Sequence, residues 1–269
     1  MKEMTFEQLK EAELGILDYI DSICKENNYS YYLAYGTLLG AVRHHGFIPW
    51  DDDIDILIAR KDYAHFIKTI SEKGGRYKII SAYNNHDYRL PFIKVVDSET
   101  VIVGKASTYV RDMGVFVDVF PLVSLPSNYR ERTKIKNKAW MLRQVMDHAS
   151  IWERGHINRS IAYKAACYLC HCYGWRRAFN QFEKLADKSS VFEKSGFYVD
   201  LAGSISRRNE WGKACFEEKC FLLFEGKRYP APYNYDEVLK EYGDYMTPPP
   251  MEKRVSEHAF KAYYKDNNS

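Results

Sequence analysis

Apolar positions at Leu9, Ile16, Ile20 and Ile23 recur near the helical period behind Thr5-Phe6-Glu7-Gln8, which has the form of a capping box. A first helix is therefore predicted to run to about Asn27. Tyr31 to Tyr35 reads as a short strand ending at Gly36-Thr37, and Leu38 to His45 as a helix packed behind it. Ile54, Ile56 and Ile58 then alternate, which is the period of a strand. Lys61 to Ser71 places Phe66, Ile67 and Ile70 on a helix that Gly74-Gly75 breaks. Tyr77 to Ala82, Pro91 to Val96 and Val101 to Val103 are predicted strands, and VFVDVF after Gly114 is another, closed by Pro121.

Beyond Ser127 the pattern changes. Asn128 to Ser150 and Ile157 to Leu185 are helical in composition, and Pro126 to Asn180 carries eleven Lys or Arg against three Asp or Glu. From Phe197 short elements alternate with turns, ending in Tyr242-Gly243-Asp244 and Pro248-Pro249-Pro250. The expected organisation is an α/β core over residues 1–125, a basic helical lobe over 126–190, and a segment over 191–269 that packs back on the core.

Composition narrows the function classes. With 46% hydrophobic and 28% charged residues the chain is an ordinary globular protein, and a net charge of +3 is too small to point to nucleic acid. Six Cys without paired spacing read as the reduced thiols of a cytosolic protein. The acidic, amphipathic start is not a secretory signal, and the best apolar stretch, Val115 to Leu125, is short and carries Asp118. A cytoplasmic protein is expected, one able to touch the inner face of a membrane.

The stretch GFIPWDDDIDILI packs Asp51, Asp52, Asp53 and Asp55 into five positions with no basic neighbour. If the strand starts near Asp51, then Asp51, Asp53 and Asp55 share one face, and the isoleucines bury on the other. Oxygen donors at this density suit Mg²⁺ or Mn²⁺, held by carboxylates and substrate phosphates. A calcium loop is excluded because its sixth position is Ile56 where Gly is needed, and its twelfth is Asp62 rather than Glu. The plainer alternative is a solvated acidic turn, against which Ile48 and Trp50 place the acids at the edge of a core.

GVFVDVFP places Asp118 between Phe116 and Phe120 on a strand face, where a carboxylate needs a partner. It either pairs with an Arg or accepts backbone N–H groups, or delivers a further metal carboxylate from a neighbouring strand. In AYGTLLGAVRHHG, a strand, the Gly36-Thr37 turn and a helix start converge backbone N–H groups where a phosphate could sit, and Arg43 could add a charged contact. Cys167 and Cys170 have zinc-like spacing, yet they lie in a helix interior without a second close pair, so they read as small buried thiols.

Together these pieces resemble the LicD family, through YGTLLGAVRHHGFIPWDDDIDI from Tyr35 to Ile56, through GVFVDVFPL, and through a tail like YGDYMTPPP…R…H from Tyr242 to His258. The resemblance implies a nucleotidyltransferase-like mixed sheet flanked by helices, of α/β (α+β) class, with an inserted or appended helical lobe. It implies phosphocholine transfer from CDP-choline to a sugar hydroxyl of a cell-surface glycan precursor, lipid-linked or soluble. It also makes Asp53-Ile54-Asp55 the Asp-x-Asp pair. The site is then expected to use Asp53, Asp55 and Asp118 as catalytic groups. Asp51, Asp53, Asp55 and Asp118 are the metal ligands, and Gly36, Thr37, Arg43, Trp50 and Lys94 contact substrate. An aromatic cage for choline is sought among Tyr35, Trp50, Tyr83 and Tyr88. Three other readings compete: transfer from CDP-ribitol or CDP-glycerol, true nucleotidyl transfer with release of pyrophosphate, and a non-catalytic binding protein with a retained fold, which the loss of a metal carboxylate would signal. The basic lobe reads as a solvated face or as a surface that docks on an anionic membrane or a lipid-linked diphosphate.

Overall fold

Thr5 caps helix α1 (Phe6–Asn27) as its sequence predicts. Its hydroxyl accepts the Gln8 N–H at 3.2 Å, and the Gln8 side chain accepts the Thr5 N–H at 3.0 Å. Leu9, Ile16, Ile20 and Ile23 form the buried face of α1. The computed structural model describes residues 1–104, 110, 113–155, 159–189, 196–203, 210–254 and 260–266.

The main sheet is mixed. Strand β2 (Tyr31–Leu33) is antiparallel to β3 (Asp55–Ala59), which lies parallel to β7 (Phe116–Leu125). The first half of β7 pairs with β5 (Ile93–Asp97), which pairs with β4 (Tyr77–Ile80). The second half of β7 pairs with β8 (Phe197–Asp200), and β8 with β9 (Trp211–Gly212). Pro121 therefore does not close the strand. The antiparallel pairing with β5 ends at Val119 and that with β8 begins at Leu122, so the residue lacking an N–H falls between two partners. Along β3 both Ile56 and Leu57 are buried, as in a strand covered on both faces.

Helix α2 (Tyr35–His44) follows β2, and α3 (Arg60–Lys73) follows β3. Helices α1 and α3 pack on each other and on β7. A second sheet joins β1 (Lys2–Glu3), β12 (Phe260–Tyr264) and β6 (Thr100–Gly104) in that order. The hairpin of β10 (Lys219–Phe224) and β11 (Lys227–Pro232) packs on β2, and the short helix α7 (Tyr235–Leu239) follows it.

Between β7 and β8 the chain forms the helical lobe: α4 (Tyr129–Arg154), α5 (Ile161–Tyr173) and α6 (Trp175–Ser189). The predicted helix from Ile157 to Leu185 is two helices, because Gly174 leaves the helical region at φ 89°. Residues 156–158 lie outside the described ones, as does His258 of the tail motif. Helix α6 buries Trp175, Ala178, Phe179, Phe182 and Ala186 on one face. On α5 only one of the three clustered thiols is buried: Cys167 is, Cys170 is half-buried and Cys172 is exposed, and all six thiols are free. Among the described residues no helix is long and apolar enough to cross a membrane. A mixed sheet flanked by helices with a separate helical lobe is the fold class the sequence leads one to expect.

Candidate functional site

Strand register places three charged residues in one row. Asp55 of β3 lies opposite Asp118 of β7, and Asp118 lies opposite Lys94 of β5. The Lys94 ammonium forms an ion pair with Asp118 Oδ1, with side-chain exposures of 9% and 13%, and sits 3.5 Å from the centre of the Phe116 ring. Asp118 thus has the cationic partner that a strand Asp between two Phe requires. Asp55 is harder to ionise. Burial is the largest cause of its raised pKa, followed by the charges of Asp53 and Asp118, with Lys94 opposing them and Asp51 adding to them.

The strand begins at Asp55, not near Asp51, so the shared-face argument for Asp51 and Asp53 fails: both come from the segment that enters the strand. That segment is pinned by the Asp55 N–H, which donates to Thr37 Oγ1 at 2.8 Å, and by the Ala34 N–H on Asp55 O at 3.0 Å. Asp51 lies against the start of α2. A Cβ on Gly36 would stand 2.6 Å from Asp51 Oδ2, so a side chain there would displace the carboxylate. Thr37 and Gly36 belong to the first turn of α2 rather than to a turn before it.

These groups open on one cleft of about 570 Å³. Asp51, Asp53, Asp55 and Asp118 line it beside Gly36. Tyr35, Trp50, Phe92, Phe120 and Tyr242 give it an aromatic wall, in which Phe92 and Phe120 pack at 4.3 Å between ring centres and Tyr35 meets Phe120 edge-on at 5.4 Å. Arg143, from α4 of the helical lobe, and Lys253 bring positive charge to it. Arg143 also donates to the Gly203 carbonyl.

The other expected residues stand elsewhere. Arg43 does not line the cleft; its Nη1 donates to the Tyr245 carbonyl at 2.7 Å, so it ties α2 to the tail. Thr37 is buried beneath the cleft, and Lys94 stands behind Asp118 rather than on the lining. Tyr83 packs on Phe179 and Tyr88 is buried outside the lining, so neither belongs to a cage in this cleft. Sequence reasoning missed Arg143, Lys253, Phe92 and Phe120, and pointed at Tyr242 only through the tail motif.

Among the described residues no three His, Cys, Asp or Glu side chains already stand together as a metal site. The donor chemistry nonetheless fits a hard divalent cation, because Mg²⁺ takes one or two carboxylates and completes its shell with substrate phosphates. Burial is the main cause of the raised pKa of Asp55, and repulsion by Asp53 and Asp118 adds to it; a bound cation would relieve that second part.

Residues 28–152 match the family model described as LicD/FKTN/FKRP, nucleotidyltransferase domain. Over nearly its whole length the chain is similar to the lipopolysaccharide cholinephosphotransferase LicD of Haemophilus influenzae. The two are 28% identical over 286 residues, covering 98% of this chain and 99% of that protein. A shorter similarity, 58% identical over 41 residues, covers 15% of this chain and 13% of an uncharacterized protein of Rickettsia typhi.

Proposed function

The chain carries a LicD-family nucleotidyltransferase domain, and from that premise we propose that it transfers phosphocholine from CDP-choline to a sugar hydroxyl of a teichoic-acid or lipopolysaccharide precursor. The observation that supports this reading is the convergence of four carboxylates and five aromatic rings on one cleft. The relative from Haemophilus influenzae, named a cholinephosphotransferase, supports the choice of donor.

In this reading the acceptor hydroxyl attacks the phosphorus that bears choline. The bond from that phosphorus to the oxygen it shares with CMP breaks, and CMP leaves with the bridging oxygen. Such transfers depend on positioning and charge neutralisation more than on covalent help. Asp51, Asp53, Asp55 and Asp118 would hold Mg²⁺ or Mn²⁺, which when bound supplies positive charge at the diphosphate. Asp118 positions the acceptor hydroxyl and takes its proton, while Lys94 fixes the orientation of Asp118 from behind. The start of α2 at Gly36, with Arg143 and Lys253, faces the phosphates. Trp50, Tyr242 and Phe120 enclose the quaternary ammonium, which binds through ring faces because it offers no hydrogen bonds.

A polyol donor would instead need convergent polar groups. Asn84, Asn85, His86 and Asp87 do not line the cleft, and the Asn84 amide is spent on Ser81 and the Ile79 carbonyl. The acceptor side of the proposal is a lipid-linked or soluble glycan approached from the cytoplasm, with the basic lobe resting on the membrane. Exposed Ile161, Tyr168 and Leu169 on α5 suit that contact.

The test is CMP release from CDP-choline, CDP-ribitol and CDP-glycerol, each with Mg²⁺ and a lipid-linked glycan. Choline should be the preferred donor. Faster turnover of either polyol donor, or pyrophosphate release from CTP and phosphocholine without transfer, overturns the proposal.

A further inference from the structure

Trp50 lines the cleft, and basic side chains gather around its ring. The Arg254 guanidinium stands 5.2 Å from the ring centre, and the His44 ring meets it edge-on at 6.3 Å. Arg43 joins the group from α2, its Nε donating to His44 Nδ1 at 3.4 Å. Lys253, the residue before Arg254, lines the cleft together with Trp50.

The two guanidiniums are close enough to act on each other. Burial lowers the pKa of Arg43, and the charge of Arg254 lowers it further. Burial and then the charge of Arg43 lower that of His44. Elsewhere the chain sets acids against such groups: Arg60 pairs with Glu183 and Asp187, Arg76 with Asp97, and Arg132 with Glu210. Among the described residues no carboxylate pairs with Arg43, Lys253 or Arg254, and the two arginines bond backbone carbonyls instead. Like charges held together with no acid between them repel, and a bound anion turns that repulsion into attraction.

Both guanidiniums are also held in place for such an anion. Arg43 Nη1 donates to the Tyr245 carbonyl at 2.7 Å, and Arg254 Nε to the Pro249 carbonyl at 2.8 Å. One stretch of tail thus fixes the two planes. Arg43 Nη2 and both Nη groups of Arg254 make no hydrogen bond among the described residues. A fixed guanidinium fork matches the spacing of phosphate oxygens, and fixing it beforehand lowers the entropy lost on binding. Two guanidiniums and an ammonium exceed what one carboxylate would neutralise, and they suit the nearly double charge of a phosphate ester.

We propose that Arg43 and Arg254, with Lys253, form a phosphate-ester site at the edge of the cleft, outside the row of carboxylates. Its assignment to a substrate of the transfer rests on the reading of the cleft given above. The phosphate belongs either to the nucleotide donor or to a phosphate-linked acceptor, and the two are distinguished by competition.

Calorimetry at low ionic strength, with metal removed by chelation, tests the site with inorganic pyrophosphate. The probe should bind the wild type. Arg254→Gln should weaken it at least tenfold, and Arg254→Lys should recover only part of the loss, because an ammonium lacks the fork. Thermal melting verifies that each variant is folded. Lys68→Gln, which removes an exposed cation of α3, should bind as the wild type does. Absence of binding overturns the proposal, and so does wild-type affinity in Arg254→Gln or an equal loss in Lys68→Gln. Displacement of pyrophosphate by CMP assigns the site to the donor, and displacement by glucose 1-phosphate alone assigns it to the acceptor. Displacement by neither overturns the phosphate-ester assignment. None of these titrations requires turnover, so a failure of CDP-choline as donor and a failure of this site are read separately.

Discussion

The Tyr35 hydroxyl donates to Asp200 Oδ2 at 2.5 Å, joining the first residue of α2 to the end of β8. Tyr35 holds φ at 46°, a left-handed conformation that residues with a Cβ adopt rarely and at a cost. Asp200 also accepts the Ala202 and Gly203 N–H groups at 2.6 and 2.7 Å. A Cβ at Gly203 would come within 2.3 Å of Asp200 Oδ2, so glycine is required for this approach. One carboxylate therefore fixes both the strained entry to α2 and the loop that closes the cleft beside it.

Burial raises the Asp200 carboxyl from 3.8 to about 6, against the lowering effect of its hydrogen-bond donors and Arg143. The native state then keeps a proton that the unfolded chain has lost, so this group's stabilising contribution is full below about pH 4 and is lost as pH rises through about 6. The stability advantage of wild type over Asp200→Asn should shrink by about 2 kcal/mol between about pH 4.5 and 7. Glu241, raised to about 7 by burial and by Asp200, titrates in an overlapping range, so the comparison belongs in a Glu241→Gln background. Urea unfolding between pH 4.5 and 7 measures it, and a pH-independent difference would refute the assignment.

Lys94 is the fixed counter-charge of the acidic row. Lys94→Gln leaves Asp118 and Asp55 facing each other at low exposure, and should destabilise the metal-free protein by about 3–5 kcal/mol. Millimolar Mg²⁺ should recover part of that loss, and the double variant Lys94→Gln/Asp118→Asn should recover more. Thermal melting with and without metal decides; a single variant as stable as wild type removes Lys94 from this role.

Asp55→Asn should abolish transfer, by at least about 100-fold, while the metal-free protein becomes no less stable. Its carboxyl is penalised at neutral pH by burial and by Asp53 and Asp118, so a neutral side chain relieves repulsion. Asp53→Asn should behave alike. Near wild-type turnover with Mg²⁺ in either variant would sink the carboxylate assignment.

Trp50 forms part of the aromatic wall, with the Arg254 guanidinium 5.2 Å from its ring centre on its other contacts. Trp50→Ala should weaken CDP-choline by about 2 kcal/mol, or about 30-fold, and leave CDP-glycerol nearly unchanged. Equal losses for the two donors would mean that the ring packs against nucleotide or tail rather than against choline.

Much of this architecture is legible in the sequence where one local signal dominates. The capping box at Thr5 and the period of α1 suffice for that helix, and Ile54, Ile56 and Ile58 suffice to place β3. The strand's start is not legible, because it depends on its neighbour: β2 offers only Tyr31 to Leu33, paired with Ile58 to Ile56, and leaves Asp51 to Ile54 without a ladder. Pro121 misleads for the same reason, since its tolerance depends on where β5 and β8 exchange places along β7. Lys94 did carry a signal, a lone ammonium among Ile93, Val95 and Val96, but its partner required the register. Arg143 carried none, being one cation among many on a basic helix.

Strand β7 sets the order in which the molecule can assemble. It pairs with β3 and β8 across roughly 60 and 80 residues of chain, and such pairings are slow because long loops must close before any contact rewards them. Helices α4 to α6 lie within the second of those loops and pack mainly on one another, so they can form while the sheet is still open. On refolding, the far-ultraviolet helical signal should return before the fluorescence of a variant whose remaining Trp is Trp50. Coincident traces in stopped-flow would show that lobe and cleft form in one step; a lag at Trp50 would leave a transient species with finished helices and an unformed cleft.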